Sequence, residues 1–231
     1  MNLINNPEKL KDYIQQFNLH QIFETDMQAH MSLCKYDKGE DILVSGEPMI
    51  YFYFIVEGKA KIFNTLENGK SVLLRFTRPL SELGSVEVLE PVRIVHSNVQ
   101  SLYGTTVIRI PFQAIDEHTK DDTSFYKFIV RRLSHKLSTI SNTHALNTTY
   151  PFKNRFASYL LSLTRIDDVE RIDEIDIDQL TDLATFLGTS YRHLNRVVKE
   201  MVEDGIIKKT KNSFIILDYK QLEELSGGFY E

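Results

Sequence analysis

The sequence predicts an α+β chain: an N-terminal antiparallel β-roll of jelly-roll type, one long helix, and a C-terminal winged helix-turn-helix. Three observations carry this expectation. Short β-prone runs punctuated by glycine recur from Lys35 to Pro111. An i/i+3/i+4 apolar seam follows, from Asp121 to about Leu146. Two short amphipathic segments then flank Gly188 and lead into a β-prone pair.

Residues 1 to about 33 read as helical, with Leu10, Tyr13, Ile14, Phe17 and Leu19 on an uneven apolar face. Strands are predicted at 42–44, 51–56, 60–64, 72–76, 92–95, 98–102 and 107–110. Glycines at 39, 46, 58, 69 and 84 separate them, and Asn68-Gly69 is a hairpin turn signal. Many short strands of this kind close by packing their faces together.

Asp121-Asp122-Thr123 offers N-cap candidates for the long helix. Its seam of Ile129, Val130, Leu133, Leu137, Ile140 and His144, with polar outer faces, predicts pairing with a second copy. The alternative is a stripe that packs on the chain's own β domain. Asn147-Thr148-Thr149-Tyr150-Pro151 is the expected hinge, followed by a helix over 152–164.

The most informative stretch is 183–198. Ala184 is small where two helices must approach, and Gly188 can adopt the positive φ that ends the first helix. Leu183, Leu187, Leu194 and Val197 supply apolar faces, leaving Tyr191, Arg192, His193 and Arg196 directed outward. Such a helix enters the DNA major groove and offers guanidinium donors to guanine edges. Glu203-Asp204-Gly205 closes it, and runs 206–210 and 213–217 around Lys211-Asn212 form a wing bearing Lys208, Lys209 and Lys211. Thr189, Ser190, Asn195 and Lys199 complete the expected DNA-binding set.

The net charge of −5 weighs against nucleic acid, but distribution matters more than the sum. From Thr189 to Asn212 six Lys/Arg stand against three acids, a local +3. The acids Asp167, Asp168, Glu170, Asp173, Glu174, Asp176 and Asp178 precede this segment and are expected to face solvent.

The one cysteine, Cys34, allows no intramolecular disulfide and cannot hold an iron–sulfur cluster by itself. The seven histidines lack ligand spacing, so no metal or cofactor is expected, including at His20, His30 and Cys34. No run of about 18 apolar residues predicts a membrane span, no secretory leader is read, and the expected location is the cytoplasm. Nucleophile elbow, Walker loop, zinc-protease helix and dinucleotide fingerprint are all missing, so an enzyme is not expected.

In order and spacing the chain resembles the CRP/FNR family of bacterial transcription regulators. The resemblance covers nearly its whole length. It rests on Tyr36-Asp37-Lys38-Gly39-Glu40, Val44-Ser45-Gly46-Glu47, Tyr53-Phe54-Ile55-Val56-Glu57-Gly58-Lys59-Ala60, Asn68-Gly69-Lys70 and Leu83-Gly84. Arg131-Arg132-Leu133 and the segment from Leu180 to Lys199 complete it. The resemblance implies a cyclic-nucleotide-binding-like β-roll over 1–118, a dimerisation helix and hinge over 119–147, and a DNA-binding winged helix over 148–231.

It also implies where an effector would sit, and there the chain departs. The family's phosphate-cradling Gly-Glu pair falls on Gly84 and Ser85, its phosphate arginine on Val95, and the neighbouring hydroxyl on His96. Arg93 lies two residues away on the same strand face. The hydroxyl pair of the long helix falls near Lys136 and Leu137. A buried phosphate without a cation carries a large desolvation cost, so cyclic AMP is not the expected effector. Ser85, Arg93, His96 and Lys136 remain the candidate effector pocket, with solvated charges and a satisfied histidine as the alternative. The four cysteines of the cluster-bearing branch are missing. In the recognition helix Tyr191-Arg192-His193 replaces the family's Arg-Glu pattern, while the later arginine is kept at Arg196.

The expected function is therefore a homodimeric, sequence-specific regulator on a pseudo-palindromic promoter site, with double-stranded DNA as partner and RNA polymerase a candidate one. The alternative is a ligand-binding or protein-interaction module of the same fold that no longer binds DNA.

Overall fold

The computed structural model describes residues 1–149, 151–164, 172–177 and 179–227. They form two compact units, Met1–Ile62 with Thr77–Ile140, and Phe63–Phe76 with Ser141–Glu231. Among the described residues no helix is long and apolar enough to cross a membrane, and no group of three or more His, Cys, Asp or Glu is placed to hold a metal ion.

The first unit begins with β1 (Asn2–Ile4) and α1 (Pro7–Gln16). The side chain of Asn6 caps α1 by accepting from the Lys9 amide, and Pro7 occupies the first turn, where its missing N–H costs nothing. The predicted N-terminal helix is thus shorter than expected. Two 3-10 turns, Leu19–Gln21 and Gln28–His30, carry the chain to β2 (Ser32–Tyr36), which pairs with β1.

There follow β3 (Asp41–Leu43), β4 (Tyr51–Thr65), β5 (Ser71–Phe76), β6 (Ser81–Leu83), β7 (Asn98–Pro111), α2 (Phe112–His118) and α3 (Thr123–Thr149). The sheet order is β1-β2-β7-β4-β5, with β3 also on β7 and β6 also on β4. The expected pairs 51–56 with 60–64, and 98–102 with 107–110, are each one continuous strand. The expected strand at 92–95 makes only an isolated bridge, between Pro48 and Ile94.

Gly58 explains why one long strand reads as two. It sits inside β4 at φ +79°, and a Cβ there would lie 2.0 Å from the Gly104 carbonyl oxygen of β7. Only glycine lets the two backbones approach this closely, and the sheet curls where they do. The side of β4 carrying Phe52 and Phe54, themselves 5.2 Å apart, meets Phe112, Phe125 and Phe128 at centroid distances of 6.0–6.2 Å, an aromatic cluster within an otherwise mostly aliphatic core. Phe52, Phe54 and Phe125 are fully buried, each contributing roughly 1.5–3 kcal/mol by area.

Asp122 starts α3 as anticipated: one carboxylate oxygen accepts from the Phe125 amide and the other from the Glu24 amide. The helix continues to Thr149, so the expected hinge residues Asn147, Thr148 and Thr149 are helical, and Tyr150 lies outside the described residues.

The second unit contains α4 (Phe152–Thr164), β8 (Glu174–Asp176), α5 (Leu180–Phe186), α6 (Tyr191–Glu203), β9 (Ile207–Lys209), β10 (Ser213–Ile216) and α7 (Tyr219–Ser226). α4 has the predicted bounds. The wing has three strands in the order β8-β10-β9, one more than expected. Asp173, Glu174 and Asp176 are exposed, as anticipated, while Asp167, Asp168, Glu170 and Asp178 lie outside the described residues. Segment Phe63–Phe76, which holds the β4–β5 turn, belongs to this unit through an aromatic chain: Phe63 on Phe186, Phe186 on Tyr159, Tyr159 on Phe76.

Replacing Gly58 by alanine should cost about 3 kcal/mol or more, since it adds a backbone clash to a strained φ. Urea unfolding should show a lowered midpoint; an unchanged midpoint would show that the two strands can separate without loss.

Candidate functional site

The helix-turn-helix is built around the end of α5. Thr189 N–H donates to the Ala184 carbonyl at 2.8 Å and Gly188 N–H to the Thr185 carbonyl at 2.9 Å, the paired bonds of a Schellman cap. Gly188 has φ +65°, and its surroundings leave space for a Cβ, so conformation and not crowding selects glycine. Ala184, Leu187, Leu194, Val197, Val198 and Met201 are buried between the two helices and their neighbours.

That packing fixes which residues α6 presents. Tyr191, Arg192, Arg196 and Lys199 are exposed. Arg196 lies 3.8 Å from Glu200 in a weak pair across one turn, with most of its side chain in solvent. Ser190 caps α6 by accepting from the His193 amide at 3.2 Å. His193 departs from expectation: it is half-buried, its ring tilted against that of Phe152 at 5.2 Å with Nδ1 3.3 Å from the Thr189 hydroxyl. Its ring packs α6 onto α4 instead of facing outward. Asn195 is half-buried.

On the wing, Lys208, Lys209 and Lys211 are exposed. A groove of about 350 Å³ runs between α5, α6 and the wing, lined by Gln179, Thr181, Tyr191, Lys209 and Lys211 with Ile177 and Leu180. Gln179 and Thr181 are not singled out by the sequence reading. The signal was available, because polar residues opening the first helix of such a pair lie beside the start of the second.

The candidate effector residues do not converge on one pocket. Arg93 donates to both oxygens of Asp116 at 2.8 and 2.6 Å and to the Val88 carbonyl, and lies over the Phe112 ring at 4.4 Å. His96 is 3.1 Å from Glu87. Ser85 and Lys136 do come together: Lys136 Nζ donates to Ser85 Oγ at 2.6 Å and lies 2.7 Å from Glu82 Oε1, to which the Ser85 hydroxyl also donates. Arg132 Nε donates to the second oxygen of Glu82, and its Nη2 to the Leu80 carbonyl. Glu82 and Ser85 are each 1 % exposed. Burial alone would raise the Glu82 carboxyl, but the charge and hydrogen bond of Lys136, with Arg132 beside it, outweigh that and hold it below the usual carboxylate range. The sequence reading does not place Glu82 at the effector position, nor Arg132, which it uses only for the family resemblance, although Arg132 and Lys136 share one helix edge by their spacing.

The expected pairing seam also resolves. Ile129 is 1 % exposed and belongs to the β-roll core, so it turns away from that seam. Val130 and Leu137 are 61 % and 67 % exposed, and Leu133 lies between them, half-buried. The side chains of Ile140 and His144 lie outside the described residues.

A β-roll followed by a winged helix with a basic outer face defines a class: one-chain regulators that couple an effector-type domain to a DNA-reading one. The cyclic nucleotide-binding domain model matches residues 33–122, and the Crp-like helix-turn-helix domain model residues 154–225. The chain belongs to the CRP/FNR family of bacterial transcription regulators, whose members are regulators rather than enzymes. It is 26 % identical over 204 residues to the regulatory protein YeiL of Escherichia coli O157:H7, covering 88 % of this chain and 90 % of that one. It is 22 % identical over 197 residues to the transcriptional activator protein anr of Pseudomonas aeruginosa, covering 84 % and 80 %. The fold matches a CRP/FNR regulator from Thermus thermophilus with a TM-score of 0.67 at 22 % identity, over 84 % of this chain and 97 % of that one. It also matches FixK2 of Bradyrhizobium japonicum with a TM-score of 0.62 at 18 % identity, over 85 % and 98 %.

Because the folded Glu82 carboxyl titrates below its ordinary value, its contribution is complete above pH 4.5 and lost as pH falls through the lowered value. Glu82→Gln should cost roughly 3 kcal/mol at neutral pH, with the gap to the native chain closing in acid. Parallel unfolding curves at neutral and acid pH check this; a gap independent of pH would contradict it.

Proposed function

We propose that the chain is a homodimeric, sequence-specific regulator that reads a pseudo-palindromic promoter site through α6 and works without cyclic AMP. The observation that carries this reading is the outer face of α6. Arg192, Arg196 and Lys199 lie exposed on a helix whose other face is buried, beside wing lysines 208, 209 and 211. Arg192 suits guanine O6 and N7, Tyr191 a thymine methyl or a phosphate, and the lysines the backbone. His193, Ser190 and Thr189 then position the helix, and Asn195 flanks the reading face.

Twofold pairing is supported by Val130 and Leu137, seven residues apart on one stripe, with outward apolar side chains that a second copy would cover; Leu133 between them is half-buried against the β-roll core. A dimer of such modules reads half-sites about one helical turn apart. The residues at the effector position do not fit a cyclic phosphate. Arg93 is engaged by Asp116, and the cations of α3 already face the buried carboxylate of Glu82. Chromosomal DNA as target places the protein in the cytoplasm, with RNA polymerase as the partner an activator would need.

The test is to map where the tagged protein sits on its host's DNA, alongside an Arg192→Ala/Arg196→Ala variant. Each lost base-reading pair removes roughly 1–3 kcal/mol of discrimination, so the variant should lose the recurring palindrome. Persistent binding by the variant would overturn the assignment of these arginines. No site under any growth condition would favour a module that has lost DNA binding, the reading the acidic net charge supports.

A further inference from the structure

Between α1 and β2 the chain runs through its two 3-10 turns and borders a cleft of about 270 Å³. Asn18, in the left-handed region at φ +52°, turns the chain after α1, so that residues 19–31 meet Ile14 across this cleft. The floor is apolar: Ile14, Leu19, Phe23, Met27 and Met31 line it, and all five are buried. The rim is polar and exposed, with His20, Glu24, Asp26 and Gln28. None of these residues belongs to the charged cluster around Glu82.

The rim is acidic and only partly engaged. Glu24 is committed to the start of α3, where one oxygen accepts from the Thr123 hydroxyl at 2.7 Å and from the Ser124 amide at 3.3 Å. Asp26 uses one oxygen to accept from the Gln28 amide at 2.9 Å. Among the described residues its second oxygen, the His20 ring and the Gln28 side chain have no partner.

A guest must therefore bring an apolar body for the floor and a cationic head for the rim. Methionine walls adapt to irregular shapes and make favourable contacts with aromatic rings. The volume lies below that of pockets for drug-sized ligands, which limits the body to about one ring. An anion would meet two carboxylates, and a purely apolar guest would desolvate Asp26 without replacing its water.

We propose that this cleft is a ligand site for a small arylalkylamine, and that its occupant steadies the start of α3. The wall formed by Phe23 and Glu24 is also the joint with that helix. Phe23 stacks on Phe125 at 5.3 Å, and the Glu24 amide donates to the Asp122 carboxylate that caps α3. The site stands whether or not the chain pairs or binds DNA.

The probe is phenethylamine, titrated into the full chain with carbon-13-labelled methionine methyls. Of the five methionines, Met27 and Met31 line the cleft, and Met1, Met49 and Met201 do not. Saturable shifts confined to Met27 and Met31 are expected at neutral pH. Phenethyl alcohol keeps the ring without the charge and should bind about fivefold more weakly, the scale of an ion pair that water partly screens. Phenylacetate should shift neither methyl. Asp26→Asn keeps an oxygen for the Gln28 amide and should lose the same factor for the amine and nothing for the alcohol. In hydrogen exchange the bound amine should slow the Glu24 and Phe125 amides, both held by Asp122.

Unmoved Met27 and Met31 methyls, shifts spread over all five methionines, or equal affinity for amine, alcohol and phenylacetate would each overturn the site. So would native-like amine binding by Asp26→Asn. If that variant does not fold, the comparison of amine with alcohol on the native chain decides. Confined methyl shifts with unchanged exchange at Glu24 and Phe125 would overturn the link to α3.

Discussion

A helix can bury only one face, and in this chain the buried face of each long helix determines what the other offers. Phe125 and Ile129 anchor α3 in the β-roll, so Val130 and Leu137, each one residue beyond a buried-edge position, stand in solvent. In the winged helix, Leu194, Val197, Val198 and Met201 anchor α6. Arg192 before them, and Arg196 and Lys199 between them, are thereby displayed to solvent. A substitution that rotated either helix by one residue would move charge into a core and leucine into water.

Electrostatics follows the same division. The chain carries −5 overall, yet α6 and the wing gather a local +3. Three cations of the β-roll unit are held differently. Arg93 is clasped by Asp116 and stacked on Phe112, and Arg132 and Lys136 converge on Glu82. These three charges are neutralised within the protein, where they organise structure, whereas those of α6 and the wing are left exposed where a polyanion can approach.

Much of this is legible in the residues. The helix-turn-helix, its Gly188 cap, the bounds of α4 and the core positions Leu183, Leu187, Leu194 and Val197 follow from period and turn chemistry, which are local. What fails is non-local. Gly58 reads as a strand end until Gly104 is seen opposite it, and run 92–95 has β-prone composition but only one bridge, at Pro48. Ile129 and Val130 are adjacent in an apolar stripe, and only the packed sheet shows that one faces inward and the other outward. His193 looks like a reading residue because the Phe152 ring that captures it is 41 positions earlier. Glu82 is invisible for the same reason: its partners lie on α3, some fifty residues away.

The measurement that tests the account most directly is selection by the purified chain, with no small molecule added, from a pool of random-sequence duplexes. The account predicts a twofold-symmetric sequence with a guanine in each half-site for Arg192, bound by two chains and progressively lost as salt is raised. An unenriched pool, or an asymmetric site bound by one chain, would contradict it.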